Sequence, residues 1–407
     1  MELIRNLIKG IVYKTAPIKQ KRIVFSSLNG QYSDSPKAIS STIKSLFPEY
    51  QIVWLVNNSI IHELPENYVA IDIKSIKAAY YAGSASIVID NVYAENAVTI
   101  YENDNTGLLR AKIYLWLRSK KKQNIYSTWH GSPIKRMGID QVNSRVKYFL
   151  CNRMTMVLGD QYTLDIMRRL TFNKMEMKLL GTPRNDILFS NNVYSIKKKL
   201  NIIGKKVILF APTFRNKLFE NDDYLQRSGL NQIEKINFNE LLDRLSKKFG
   251  GDWIFICRFH YHVAEKVDWD KIYNISDGKV INGNILQDMA DYLACADVLL
   301  SDISSCMFDF ALTEKPCFCF FPDRTLFENN ERGLYVNLES LPFPIAEDYN
   351  TLIDEIIHFD DENYRLKVKE FKKKYGLVDD GHSAERFAIY ITEQDKHNAD
   401  KDIKKVE

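Results

Sequence analysis

The stretch Asn124–Gly138, NIYSTWHGSPIKRMG, breaks a short apolar run at Trp129-His130-Gly131-Ser132-Pro133. A histidine at a strand exit, followed by a glycine turn and a proline that can open a helix, has the layout of a site on an α/β sheet. A lone histidine in such a place also serves as packing, so the neighbouring strand exits have to be read with it. They carry Arg184 in GTPRND, Thr213 and Arg215 in APTFR, Arg258 and His260 in CRFH, and Ser304 and Ser305 in LLSDISS. Arginine forks, imidazoles and hydroxyls at the opening of a helix are the groups that meet phosphate oxygens. Each also has a structural use: GTPRND as a turn, APTFR as a strand exit with a surface arginine, and SDISS as a helix N-cap. Asp309 follows Ser305 by four residues, on the same helical face. That position suits either substrate hydroxyls or a neighbouring loop.

These residues need elements to position them, and the chain supplies an alternation of strand-like and helix-like segments. From residue 22 it runs RIVFSS, SPKAISSTIKSLF, QIVWLVN, IKAAYYAGSA and SIVID, then MTMVLGD, DQYTLDIMRRL and MEMKLLGTPRND. A second series begins at KKVILFAPTFR and ends at PCFCFFPD. Repeated βα units predict α/β domains with parallel sheets, and 407 residues suit two of them. The expected division is a basic amphipathic segment at 1–22, one Rossmann-like domain at 23–195, a second at 205–390, and a charged, frayed tail at 391–407. The charged stretch around 190–206 is expected to be the passage between the domains. Ligands of open α/β sheets bind beyond the carboxyl ends of the strands, where the residues above lie, and a cleft between the two domains is expected there.

Several classes are excluded or disfavoured. The net charge of +4 balances 56 basic against 52 acidic residues, which gives no case for nucleic acid. The six cysteines form no CxxC pair and most lie in apolar runs, so they read as buried thiols of a reducing cytoplasm, neither a zinc site nor a disulfide framework. Neither GxxxxGK[ST] nor a convincing GxGxxG occurs, which argues against P-loop nucleotidases and dinucleotide enzymes. The DxD at Asp268-Trp269-Asp270 precedes KIYNI in a charged loop, away from a strand end, so no metal and no other cofactor is expected. The first residues do not read as a signal peptide, and no apolar run of about 18 residues occurs to span a bilayer.

Two segments do bear on membranes. Residues 1–22 place six basic residues and one acid among Leu3, Ile4, Leu7, Ile8, Ile11 and Val12. Residues 108–122, LLRAKIYLWLRSKKK, carry six basic residues and no acid around Tyr114 and Trp116. Such helices lie on anionic lipid, or pack an apolar stripe on a sheet with lysines in solvent.

YSDSPKAI, STWHGSPIKRMG, LLGTPRND, FAPTFR, RFH, SDISSCMFDFALTEKP and RGLYVN, in that order over about residues 22–340, resemble the CDP-glycerol glycerophosphotransferase family of teichoic acid synthesis. Ser132 and Ile134 stand where the family often has threonine and leucine, and SDIS lacks the common aromatic; no titratable group is lost. The resemblance implies a GT-B-like pair of Rossmann-type domains with a cleft between them. It implies a CDP-polyol donor, CDP-glycerol or CDP-ribitol, with CMP as leaving group. It further implies a lipid-linked or glycan acceptor and peripheral attachment to the cytoplasmic face of the membrane, for wall or capsule polymer. Carried over, it implies a donor site of His130, Gly131, Ser132, Pro133, Arg184, Arg215, Arg258, His260, Ser304, Ser305 and Asp309, with Thr213 beside them. His130 is expected to be the general base and His260 to stabilise the transferring phosphoryl group or departing CMP. The length resembles a primase or single-unit transferase more than an extended polymerase. The alternatives are a GT-B glycosyltransferase using a sugar nucleotide and a catalytically silent assembly partner at the membrane.

Overall fold

The computed structural model describes residues 2–92, 97–101, 107–120, 122–141, 144, 146–171, 175–190, 192–213, 230–259, 264, 267–330 and 333–403. The chain divides into two compact units: Met1–His130, Asn143–Asp186 and Leu377–Glu407 form the first, Gly131–Val142 and Ile187–Gly376 the second.

The first unit holds, in chain order, α1 (Glu2–Thr15), β1 (Lys19–Ser26), α2 (Asp34–Leu46), β2 (Gln51–Val56), β3 (Val69–Asp72), α3 (Ile76–Ser84), β4 (Ala85–Asp90), β5 (Ala97–Tyr101), α4 (Gly107–Leu117), β6 (Asn124–Ser127), β7 (Val146–Cys151), β8 (Thr155–Leu158), α5 (Gln161–Leu170) and β9 (Glu176–Leu179). Seven strands form one parallel sheet in the order β3-β2-β1-β4-β6-β8-β9, and β5 pairs with β7 antiparallel. Strand β4, ASIVID, is buried along its whole length, as a strand covered on both faces must be. Helix α2 turns Ile39 and Ile43, one helical turn apart, onto Phe25, Trp54 and Ile89. The order reverses between β1 and β4, because β1 to β3 proceed one way and the chain returns to the other side of β1. That reversal is where an open α/β sheet leaves a crevice at its carboxyl edge.

The second unit repeats the scheme with β10 (Lys206–Ala211), β11 (Trp253–Cys257), β12 (Val280–Asn282), β13 (Val298–Ser301), β14 (Cys317–Phe320) and β15 (Ile345–Ala346). Its parallel order is β12-β11-β10-β13-β14-β15, with the reversal between β10 and β13. Cys257, Cys295, Cys306, Cys317 and Cys319 are buried here as small apolar side chains.

The expected boundaries need correction in four places, the first being Gly131–Val142, expected in the first domain and belonging to the second unit. The stretch 190–206 is not a passage: Val193–Lys199 is a helix of the second unit, and Ile196, Leu200 and Ile202 are buried. The end of the chain belongs with the first unit, and helix Ser383–Ile403 runs through most of the supposed frayed tail. Ala384, Phe387, Ala388 and Ile391 are buried at helical spacing, a stripe that the surrounding charges conceal in the sequence. At the other end, Lys19–Arg22 lie in β1, outside the amphipathic helix. Arg22 is buried and donates to the Ser84 hydroxyl at 2.6 Å.

Candidate active site

His130 leaves the carboxyl end of β6 on a strained turn. Thr128 continues the ladder to β4 by donating its N–H to the Asp90 carbonyl at 2.8 Å. Trp129 then takes φ +54° and Gly131 φ +136°. A bulky residue in the left-handed region costs about 1–3 kcal/mol and persists where its surroundings over-determine it. Trp129 is buried and its ring lies 4.0 Å from the His130 ring, so the turn delivers the imidazole against an aromatic wall. The Nδ1 of His130 is 3.1 Å from the Asn91 carbonyl oxygen, just beyond β4. A carbonyl only accepts, so Nδ1 carries the proton and Nε2 keeps its lone pair. Burial pushes the imidazole below its ordinary 6.5; the Asn91 carbonyl and Asp34 oppose that, and Arg184 adds to it. The ring is therefore neutral at pH 7 and able to take a proton.

Around it stand groups from the β1 and β4 exits. Asn91 is fully buried, its Nδ2 donates to Ser27 Oγ at 3.1 Å, and its Oδ1 has no partner among the described residues. Ser27 Oγ is 3.3 Å from Ser33 Oγ. Asp34, the first residue of α2, has φ +64° and accepts from Arg184 Nη1 at 3.1 Å. The N–H of Arg184 donates to Ser35 Oγ at 3.3 Å. Arg184 is thus paired with a carboxylate, and its charge acts on the His130 ring. The rest of GTPRND anchors the end of the chain: Gly181 has φ +96°, and a side chain there would run into Ser383 Oγ. Asp186 caps helix Ser383–Ile403 by accepting from the N–H groups of Ser383 and Ala384 at 2.9 and 2.8 Å.

The second unit gathers another set at its own reversal. Asp302, buried after β13, accepts from the Thr213 N–H at 3.1 Å and the Thr213 hydroxyl at 2.7 Å, which ties the β10 exit to the β13 exit. Ser304 and Ser305 follow, ahead of helix Cys306–Ala311. Ser304 Oγ accepts weakly from the Cys306 N–H at 3.4 Å, and Ser305 makes no side-chain capping bond, so SDISS is not an ordinary cap. Asp309 is buried in the first turn of that helix.

Arg258, expected in the donor site, is held by the protein itself. Its Nη1 donates to the Gly283 and Leu286 carbonyls at 2.7 and 2.8 Å, and its Nη2 to Gln287 at 2.7 Å. It also lies on the Tyr292 ring, 4.8 Å from the centroid. Those bonds make it the organiser of the 283–287 loop. Arg215 and His260 lie outside the described residues. Asp268 of the DxD caps helix Trp269–Ile275 by accepting from the Lys271 N–H at 3.0 Å.

Gly131, Ser132 and Pro133 open the short first segment of the second unit, where Ser132 and Pro133 are buried. Gly333 and Tyr335 secure the residues that follow. Tyr335 donates its N–H to the Ile134 carbonyl at 2.8 Å, Arg136 donates its N–H to Gly333 at 3.0 Å, and the Tyr335 hydroxyl donates to Asp140 at 2.7 Å. The residues that strand-exit reasoning missed are Ser27, Ser33, Asp34, Ser35 and Asn91. The signal available was their place just after β1 and β4, at the reversal.

Comparison with known proteins agrees with the fold. The chain is 29% identical over 391 residues to a teichoic acid poly(glycerol phosphate) polymerase of Staphylococcus epidermidis, covering 90% of this chain and 50% of that protein. The chain therefore spans about half the length of that relative. It is 27% identical to a teichoic acid glycerol-phosphate transferase of Staphylococcus aureus, covering 95% of this chain and 98% of that one. A solved structure of the wall teichoic acid polymerase TagF superposes with a TM-score of 0.74 at 24% identity, over 97% of this chain and 95% of that one, which makes the fold GT-B-like. A model of the CDP-glycerol:poly(glycerophosphate) glycerophosphotransferases matches residues 10–393, nearly the whole of both units, and the chain belongs to that family.

Proposed function

We propose that the protein transfers glycerol phosphate from CDP-glycerol to a hydroxyl of a membrane-linked acceptor, releasing CMP, in the synthesis of teichoic acid or a related surface polymer. The observation that carries this is His130: a neutral imidazole whose Nδ1 proton is committed to the Asn91 carbonyl, in a chain of this family. The acceptor hydroxyl gives its proton to Nε2 as its oxygen bonds to the β-phosphorus, and the bond from that phosphorus to the CMP oxygen breaks in line. Thr213, Ser304 and Ser305 serve the diphosphate with Arg215 as the charged partner, His260 stabilises the transferring phosphoryl group or departing CMP, and Asp309 lies toward the polyol. A histidine-to-asparagine variant of TagF soaked with CDPG supports the choice of donor.

Peripheral membrane attachment is part of the same proposal. No helix of the described residues is long and apolar enough to cross a membrane. Helix α1 leaves Ile4, Leu7, Ile8 and Ile11 exposed at helical spacing, and α4 leaves Leu109, Ile113 and Trp116 exposed. Lys14 joins the two helices by donating to the Ser119 carbonyl at 2.7 Å while lying over the Trp116 ring. An apolar row that a soluble surface would bury, bordered by Arg5, Arg110 and Lys112, suits an anionic bilayer.

The test is incubation of the protein with CDP-glycerol or CDP-ribitol and a lipid-linked acceptor, following CMP and the new phosphodiester. CMP release from CDP-glycerol is the expected result. Release from CDP-ribitol alone would reassign the polyol, and turnover of a sugar nucleotide without a new phosphodiester would make the protein a glycosyltransferase.

A further inference from the structure

Of the stretches that carry the family resemblance, YSDSPKAI has no part in the chemistry above, yet it opens α2 at the β1–β4 reversal. Asp34 sits there in the left-handed region at φ +64°, a conformation that aspartate and asparagine tolerate and most residues avoid. Its partner Arg184 comes from the far edge of the sheet, after β9, and the two side chains are only 15% and 9% exposed. The Ser35 hydroxyl accepts the Arg184 N–H, so both ends of the pair are tied to the same first turn. A buried ion pair contributes little net stability, because desolvation offsets its attraction. What distinguishes this one is its neighbour, the His130 imidazole.

We propose that Asp34 is a positioning residue for His130, holding Arg184 at the head of α2 so that the base works between two compensating charges. This rests on His130 being the base of the proposed transfer. The imidazole meets the Asn91 carbonyl from the β4 exit and the Trp129 ring from its own turn. The Asn91 side chain reaches Ser27, whose hydroxyl lies 3.3 Å from that of Ser33, the residue before Asp34, so the Asp34–Arg184 pair stands beside the residue that orients the ring, and both charges act on it. Taking the acceptor's proton turns a neutral ring into a cation. Asp34 favours that cation and Arg184 opposes it. Removing either takes away one of two opposite influences on the ring, so the two single substitutions have opposite effects on one and the same group.

The experiment is an NMR titration of His130 in full-length, histidine-labelled protein, with the resonance assigned by its loss in His130→Gln. Asp34→Asn, which keeps the tolerance for positive φ, should move the titration to lower pH. Arg184→Gln should move it to higher pH, Arg184→Lys should leave it in place, and the double variant Asp34→Asn/Arg184→Gln should return it close to wild type. In CMP-release assays the acid limb of kcat/KM should follow the same order, with kcat of Asp34→Asn down about 10- to 100-fold, short of the loss expected for removing the base itself. Single substitutions that move the titration the same way, or not at all, would overturn the proposal and leave the pair a fold contact. If Asp34→Asn does not fold, the contrast between Arg184→Gln and Arg184→Lys decides, and equal titrations in those two would overturn it. Should wild-type protein release no CMP from any CDP-polyol, the proposed transfer fails, while the titrations still decide the role of Asp34.

Discussion

The two sheets reverse their strand order in the same way, between β1 and β4 and between β10 and β13, yet the two reversals are furnished differently. In the first unit the groups are committed to one another: His130 to Asn91, Arg184 to Asp34, Asn91 to Ser27, with positive φ at Asp34 and Trp129. In the second unit one buried lock, Thr213 on Asp302, holds two strand exits together and leads to serines of which Ser305 makes no capping bond. None of Thr213 and Asp302–Ser305 has positive φ. A base needs a fixed tautomer and a fixed charge environment, which strain and mutual hydrogen bonding provide. A phosphate site needs donors left uncommitted to the protein itself. On the proposed roles the same topology serves both, and the residues after the strands decide which.

The largest effect should fall on the first reversal. His130→Ala removes the base and should lower turnover by about 10²- to 10⁴-fold while CDP-glycerol binding, measured by calorimetry, survives. Near wild-type turnover would return His130 to a packing role and erase the difference between the two reversals.

Next in size is the second reversal. A hydroxyl donating to a charged phosphate is worth about 1.5–3 kcal/mol, so Ser305→Ala should weaken CDP-glycerol binding by about 10- to 100-fold. A working N-cap would cost about 0.5–2 kcal/mol of stability when lost, and Ser305 makes no such bond, so Tm should hold. A variant that melts early and binds donor normally would make SDISS an ordinary helix opening.

How much of this was legible beforehand depended on how local each cause is. The central strands were plain, because runs such as KVILFA and SIVID are largely apolar and closed by turn residues, whereas β3, β5, β7 and β15 went unread. The placing of His130 at a strand exit was equally local. Asn91 was hidden because it orients His130 through its backbone carbonyl, which any residue supplies. Asp34 was hidden because its partner is 150 residues away. Arg258 was legible as an arginine at a strand exit, but its bonds to the carbonyls of 283–287 were not, because those partners lie 25 to 29 residues further along the chain. The last helix was missed because Phe387, Ala388 and Ile391 form a narrow stripe among charges.

A smaller effect belongs to the first unit alone, whose α1 and α4 carry the exposed apolar rows. Each basic residue near an anionic surface is worth about 1 kcal/mol, so Arg110→Gln should weaken sedimentation with anionic liposomes about fivefold at low salt. High salt should abolish the difference between variant and wild type. Equal binding to neutral and anionic vesicles would remove the electrostatic part of the attachment.

The smallest expected effect is on stability against pH, and it probes the same contrast without any substrate. Burial holds the folded-state titration of His130 below the 6.5 of an unfolded histidine. Between those two values the unfolded chain binds more protons than the folded one, so stability rises with pH through that window. Read downward, the contribution of a neutral His130 is complete above about pH 6.5 and is lost as pH falls toward the folded value. His130→Gln removes the titrating group, and the other buried carboxyls, Asp186 and Asp395 among them, cancel in the comparison with wild type. Urea unfolding at about pH 7.5, 6.5 and 5.5 should therefore show wild type losing stability relative to His130→Gln as pH falls, while Ser305→Ala tracks wild type throughout. A gap that stays constant with pH would mean the imidazole titrates as in water. A gap that moves the other way would mean that Asp34 and the Asn91 carbonyl outweigh burial, and that the folded protein favours the protonated ring more than water does.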